Sequence, residues 1–204
     1  MTDIPELNST SSIVQENMNI SSFDEPLVVP IGSLLGMTLP DDDGSQSLSM
    51  TLTGFPANAQ DLSFADQLPG VTTTIDLAMG TVTLSGTNAT DVLQVLASLE
   101  ITLADDDDKN FIVGINGTTA DSNGIDGTAP IPFTLEHTVI VQAVADAPTI
   151  DVGDEIKRPV LEESDFVTYN VTIGLQDNDG SEALFQVVIE YSTPGNGSKP
   201  EIQF

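Results

Sequence analysis

The stretch Asp41-Asp42-Asp43-Gly44-Ser45-Gln46-Ser47-Leu48-Ser49-Met50-Thr51-Leu52 carries two signals. Its second half is an apolar-alternating run through Leu48, Met50 and Leu52. A period of two is what a half-buried β-strand requires, because successive side chains point to opposite faces. Its first half is a cluster of carboxylates closed by a glycine. Such a cluster between strands suits a turn that curls around a positive ion.

The same pattern returns at Asp177-Asn178-Asp179-Gly180-Ser181-Glu182-Ala183-Leu184, followed by Phe185, Val187 and Ile189 in alternation. Residue 177 lies 136 positions after residue 41. Two further pairs recur in the same order. Thr2-Asp3-Ile4-Pro5 matches Ala145-Asp146-Ala147-Pro148, and Val14-Gln15-Glu16-Asn17 matches Val160-Leu161-Glu162-Glu163. The ordered set indicates a tandem repeat of roughly 140 residues. Residues 1–146 are expected to form one complete repeat. Residues 147–204 are expected to be a linker and the truncated start of a second, too short for a sandwich of its own. Met1 reads as an initiator on an excised fragment, since neither a basic start nor an apolar stretch follows it as in a signal peptide.

The other strand signals are Thr81–Leu84, Leu99–Leu103, Phe111–Ile115, Phe133–Val144, Val167–Ile173 and Phe185–Tyr191, all rich in Val, Ile, Thr and Phe. Gly, Pro, Asn and Asp punctuate them at short intervals. One helix is expected, from Thr90 to Leu99, capped by Thr90 or Asp91, with Val92, Leu93, Val95, Leu96 and Leu99 on one face. The predicted fold is therefore all-β, an antiparallel β-sandwich of immunoglobulin or cadherin type with one short helix.

Composition narrows the function. The 204 residues hold 32 Asp+Glu, 4 Lys+Arg, one His, no Cys and no Trp, for a formal charge of −28. Without Cys there is no disulfide framework, thiol nucleophile or Cys-based metal site. Four basic residues cannot neutralise a phosphate backbone, so nucleic acid is excluded as a partner. An anionic membrane repels such a chain, and no apolar run reaches the ~18–20 residues of a membrane helix.

Crowded carboxylates repel one another unless a cation sits among them. Calcium suits them best, because it takes about 6–8 hard oxygen ligands from loop carboxylates and carbonyls, whereas magnesium keeps several waters. An EF-hand is excluded by counting: with Gly180 at loop position 6, position 1 is Leu175 and position 12 is Gln186, and with Gly44 they are Leu39 and Met50. The competing reading is a solvated acidic surface of halophilic type.

Val144-Ala145-Asp146-Ala147-Pro148 resembles the inter-repeat linker of cadherin-like, immunoglobulin-fold tandem repeats in large calcium-dependent surface adhesins. Glu162-Glu163 and Asp177-x-Asp179-Gly180-Ser181-Glu182 are similar to the signatures that open the next repeat there. The resemblance implies an extracellular protein whose partners are neighbouring repeats of the same chain, with Ca2+ at the junctions. It implies as ligands Asp146 from the linker, Glu162 or Glu163, and Asp177, Asp179 and Glu182. Asp105, Asp106, Asp107 and Asp108 are further donors from the first repeat. In the N-terminal copy, Asp3, Glu16, Asp41 and Asp43 hold the matching positions, but Gln46 and Asn17 stand where Glu182 and Glu163 stand in the second copy. The alternative is a calcium-dependent module that binds a glycan, a protein or a surface itself.

Enzymatic readings are weaker. His137 shares its parity with Phe133, Leu135, Val139 and Val141, which makes it a histidine at the margin of a packed face, and no Gly-x-Ser-x-Gly elbow accompanies it. Paired carboxylates could hydrolyse glycosides, but sugar clefts carry aromatic platforms and aromatic content here is 5%. Sequons at Asn8, Asn19, Asn88, Asn116, Asn170 and Asn196 are compatible with a glycosylated surface protein.

Overall fold

The protein is described from a computed structural model covering residues 3–15, 26–40, 44–104, 109–121, 129–143, 149–152, 171–174 and 186–188. Thirteen strands and two helices are present among these residues. In chain order they are β1 (Glu6–Leu7), β2 (Ser11–Gln15), β3 (Val28–Val29), α1 (Ile31–Leu35), β4 (Met37–Thr38), β5 (Gln46–Thr53), β6 (Asp61–Phe64) and β7 (Val71–Asp76). Then follow β8 (Thr81–Gly86), α2 (Ala89–Ala97), β9 (Leu99–Thr102), β10 (Phe111–Asp121), β11 (Ile131–Gln142), β12 (Thr149–Val152) and β13 (Val171–Gly174).

The main layer is a six-stranded sheet in the order β2-β11-β10-β5-β8-β7. Every pairing in it is antiparallel except β2 with β11, which run parallel. The alternation read from Leu48, Met50 and Leu52 is what this sheet uses: all three are buried, and so are Val82, Leu84, Val113, Ile115, Phe133, Val139 and Val141 on neighbouring strands. Register keeps them on one face, with Ile115 opposite both Leu52 and Leu135, and Met50 opposite Leu84.

The second layer is a three-stranded sheet, β3-β9-β6, together with the helices. Helix α2 packs on β8 and β5, and α1 packs on α2 and β9. Val92, Val95, Leu96, Leu99 and Ile101 close the core from this side, each with almost no exposure. The architecture is thus an all-β sandwich, as the alternating runs and their turn residues indicate.

Several details differ from the expectations. The helix of residues 89–97 starts one residue earlier than predicted, and its cap is Asn88, whose side-chain oxygen accepts from the Thr90 amide at 3.0 Å. Asn88 wins because it sits one residue before the first helical position, where an Asx side chain reaches the free amides. Leu99 belongs to β9, not to the helix. A second helix, α1, lies at Ile31–Leu35, ended by Gly36 in the left-handed region (φ 52). Five residues are too short to show helical periodicity. Strand β10 also runs on to Asp121, six residues past Ile115, because Gly117 leaves room on the inner face for the ring of Phe133 opposite it. The strand signal Val167–Ile173 is met by β13 over 171–173, with residues 167–170 outside the described set. Of Phe185–Tyr191, residues 186–188 are described and carry no strand.

Two small ladders complete the structure. β1 pairs with β4, setting Glu6 opposite Thr38 and Leu7 opposite Met37. β12 pairs with β13, setting Thr149 opposite Gly174 and Ile150 opposite Ile173. Residues 173 and 174 are 136 positions after 37 and 38, the spacing of the two acidic signatures.

Candidate functional site

The strands place the flanks of the acidic segments at two opposite ends of the main sheet. At one end β11 leaves the sandwich. Gln142, its last residue, is the Cα partner of Gln15, the last residue of β2. On the other side of β11, β10 begins at Phe111 opposite Val139, and the Asn110 Oδ1 accepts from the Val141 amide at 2.9 Å. The next residue after Gln15 is Glu16, the residues before Lys109 are Asp105, Asp106, Asp107 and Asp108, and Asp146 comes four residues after Gln142. Three adjacent strands thus bring the flanks of three acidic segments to the end from which the chain continues into β12.

At the opposite end Gln46 pairs with Asp121, and Gly44 and Ser45 lead into β5 from Asp41 and Asp43. Asp3 lies here too. Thr119, buried on the inner face, donates its hydroxyl to the Asp3 carbonyl at 3.0 Å. Gly44 has φ 73, a conformation that favours glycine, with open space where a Cβ would stand.

Of the predicted ligands only Asp3, half-buried, falls among the described residues. Glu16, Asp41, Asp43, Asp105, Asp106, Asp107, Asp108, Asp146, Glu162, Glu163, Asp177, Asp179 and Glu182 lie outside them. Among the described residues no three His, Cys, Asp or Glu side chains stand close enough together to hold a metal ion.

His137 is fully buried, deeper than the margin of the packed face where its parity placed it. Its Nδ1 lies 2.9 Å from the Ser9 carbonyl, and because a carbonyl only accepts, that nitrogen carries the hydrogen. Nε2 faces the Ser12 hydroxyl at 3.1 Å. Both ring nitrogens are therefore used to fasten the segment 9–12 onto β11. Among the described residues the ring's hydrogen-bond partners are this carbonyl and this hydroxyl, not a carboxylate.

A feature that no sequence motif marks is the hydroxyl surface on the outer face of the sheet. Thr72, Ser85, Ser49 and Thr118 stand opposite one another across β7, β8, β5 and β10. The next row is Thr74, Thr83, Thr51, Asn116 and Thr134. The signal was present as Ser and Thr at alternate positions, but only the register shows that they meet.

No protein-family model matches the chain, and no curated protein matches it. Among solved structures, a chain of a type I cohesin–dockerin complex from Clostridium thermocellum is similar to it, with TM-score 0.39 and 14% identity. That similarity covers 68% of this chain and 99% of the other. Nothing about ligands or partners follows from a likeness at this level. Among the described residues, no helix is long and apolar enough to cross a membrane.

Proposed function

We propose that this protein is an extracellular, non-enzymatic structural repeat of a surface adhesin, stiffened by calcium where one repeat meets the next. The observation that supports this most directly is the convergence of β2, β10 and β11 at one end, where Glu16, Asp105–Asp108 and the Asp146 linker join them. A cation held between these segments and the next repeat's Glu162, Glu163, Asp177, Asp179 and Glu182 would lock the hinge, because bending would break its coordination. Without it, the same carboxylates repel and the linker bends.

The register of β12 with β13 supports the tandem arrangement. It repeats that of β1 with β4, with Ile150 in the place of Leu7 and Ile173 in the place of Met37. Leu7 and Met37 pack against the core, whereas Ile150 is 64% exposed. In our reading a complete second repeat supplies the sheet that would cover it.

The test is a calcium titration of a protein carrying two whole repeats. Calcium should raise its melting temperature and lengthen it in small-angle scattering, and replacing Asp146 and Asp179 with Asn should weaken both responses. If chelation changes neither quantity, calcium has no part in this protein. If molar NaCl acts as well as millimolar calcium, the acids are a solvated halophilic surface.

A further inference from the structure

The outer face of the six-stranded sheet contrasts with the rest of this acidic chain. Of its strand positions only Asp76 and Glu136 are charged, and both lie toward one end of the sheet. At the other end the surface sinks into a groove of about 410 Å³, within the range of small-ligand sites. Ser47, Ser49, Thr72, Ser85, Thr87 and Thr118 line it, together with small residues such as Gly70 and Ala120, and none of the described lining residues is charged. Ser47 gives its hydroxyl to the Ala120 carbonyl at 3.1 Å. The side chains of the other five hydroxyl residues make no hydrogen bond to another described residue.

We infer that this groove binds a neutral saccharide chain, and does so without calcium. Charge decides the class of ligand. The described lining offers a cation hydroxyls but no carboxylate, and an anion would be repelled by a chain of −28. What remains is an uncharged molecule rich in groups that both donate and accept. Each Ser or Thr hydroxyl does both and rotates to suit its partner, which matches the hydroxyls of a sugar. A peptide finds its main-chain partners at a sheet edge, whereas this groove lies across the strands and offers side chains. A rigid lattice such as ice or a mineral is disfavoured by geometry, since strands twist by about 20–25° each and the rows fan out. A flexible sugar chain can follow that twist. With no aromatic platform the affinity is weak, about millimolar.

The inference does not rest on the calcium-stiffened repeat, and the two fail separately. The experiment is affinity electrophoresis of the full chain through gels containing dextran, mannan or hydroxyethylcellulose, with calcium or with chelator. At least one neutral polymer should retard the protein, equally in both conditions. The double variant Ser49→Val, Thr118→Val keeps the strand-favouring shapes and removes two hydroxyls, so its retardation should fall about tenfold. Ser49→Thr keeps the hydroxyl and should bind as the parent does. Absence of retardation by every neutral polymer, loss of it on chelation, or an unchanged double variant each overturns the inference. So does retardation by charged polymers such as alginate alone.

Discussion

At the scale of single residues, two glycines with nearly equal positive φ carry different loads. Gly54 has φ 89 and Gly70 has φ 87. A Cβ on Gly54 would run into the Ile112 carbonyl oxygen, whereas one on Gly70 would meet open space. Gly70→Ala should therefore cost about 1–2 kcal/mol, the backbone strain alone. Gly54→Ala adds a clash with main chain that cannot turn aside, and should cost at least about 3 kcal/mol. Urea unfolding of the two variants checks this; equal losses would show that β10 gives way. His137 makes the second residue-scale prediction. His137→Phe keeps most of the ring volume but leaves the Ser9 carbonyl and Ser12 hydroxyl without their partner, at a cost of about 1–3 kcal/mol in the same measurement.

At the scale of elements, the inner strands of the main sheet, β5, β8, β10 and β11, were legible because their alternation is driven by burial. Leu48, Met50 and Leu52 have no other way to leave water together. Helix α2 was legible for the same reason, through Val92, Val95 and Leu96. Its start was misread because capping depends on one side chain meeting one amide, and several residues near it were chemically able to do so. Asn88→Ala should destabilise the protein by about 1 kcal/mol, while Asn88→Asp should be neutral or stabilising, since it keeps the acceptor and adds a charge favourable at a helix N-terminus. Thermal unfolding of the pair separates these outcomes; equal losses would mean that the side-chain cap is not what holds the helix start. Helix α1, the two-residue strands β1, β3 and β4, and the strands β2, β6, β7 and β12 were not legible. All but β7, which forms a hairpin with β8, are held by partners distant in sequence, as Met37 and Thr38 are by Leu7 and Glu6, rather than by a periodicity of their own.

At the scale of the whole molecule, the question is where the charge of −28 resides. The core strands and their outer face carry little of it, and the segments joined to the two ends carry much of it. If calcium binds the folded state at those ends, stability should rise with its concentration. The gain is about 2.7 kcal/mol at a hundred times the dissociation constant for one site, read as a rising melting temperature. Such a concentration dependence separates specific binding from general screening, which acts at far higher salt.

The sequence by itself determined the β class, the main strands and their inward faces, the position of one helix, and the recurrence of acidic signatures that motivates the repeat. All of these are local or periodic, and burial enforces them on any chain with this pattern. Only the tertiary structure decided which strands are neighbours. That placed Gln15, Lys109 and Gln142 at one end, buried His137 against Ser9 and Ser12, and gathered Thr72, Ser85, Ser49 and Thr118 into one row. Pairing register joins residues dozens of positions apart through main-chain hydrogen bonds, which every residue but proline can make. It therefore leaves no mark of its own in the one-dimensional pattern.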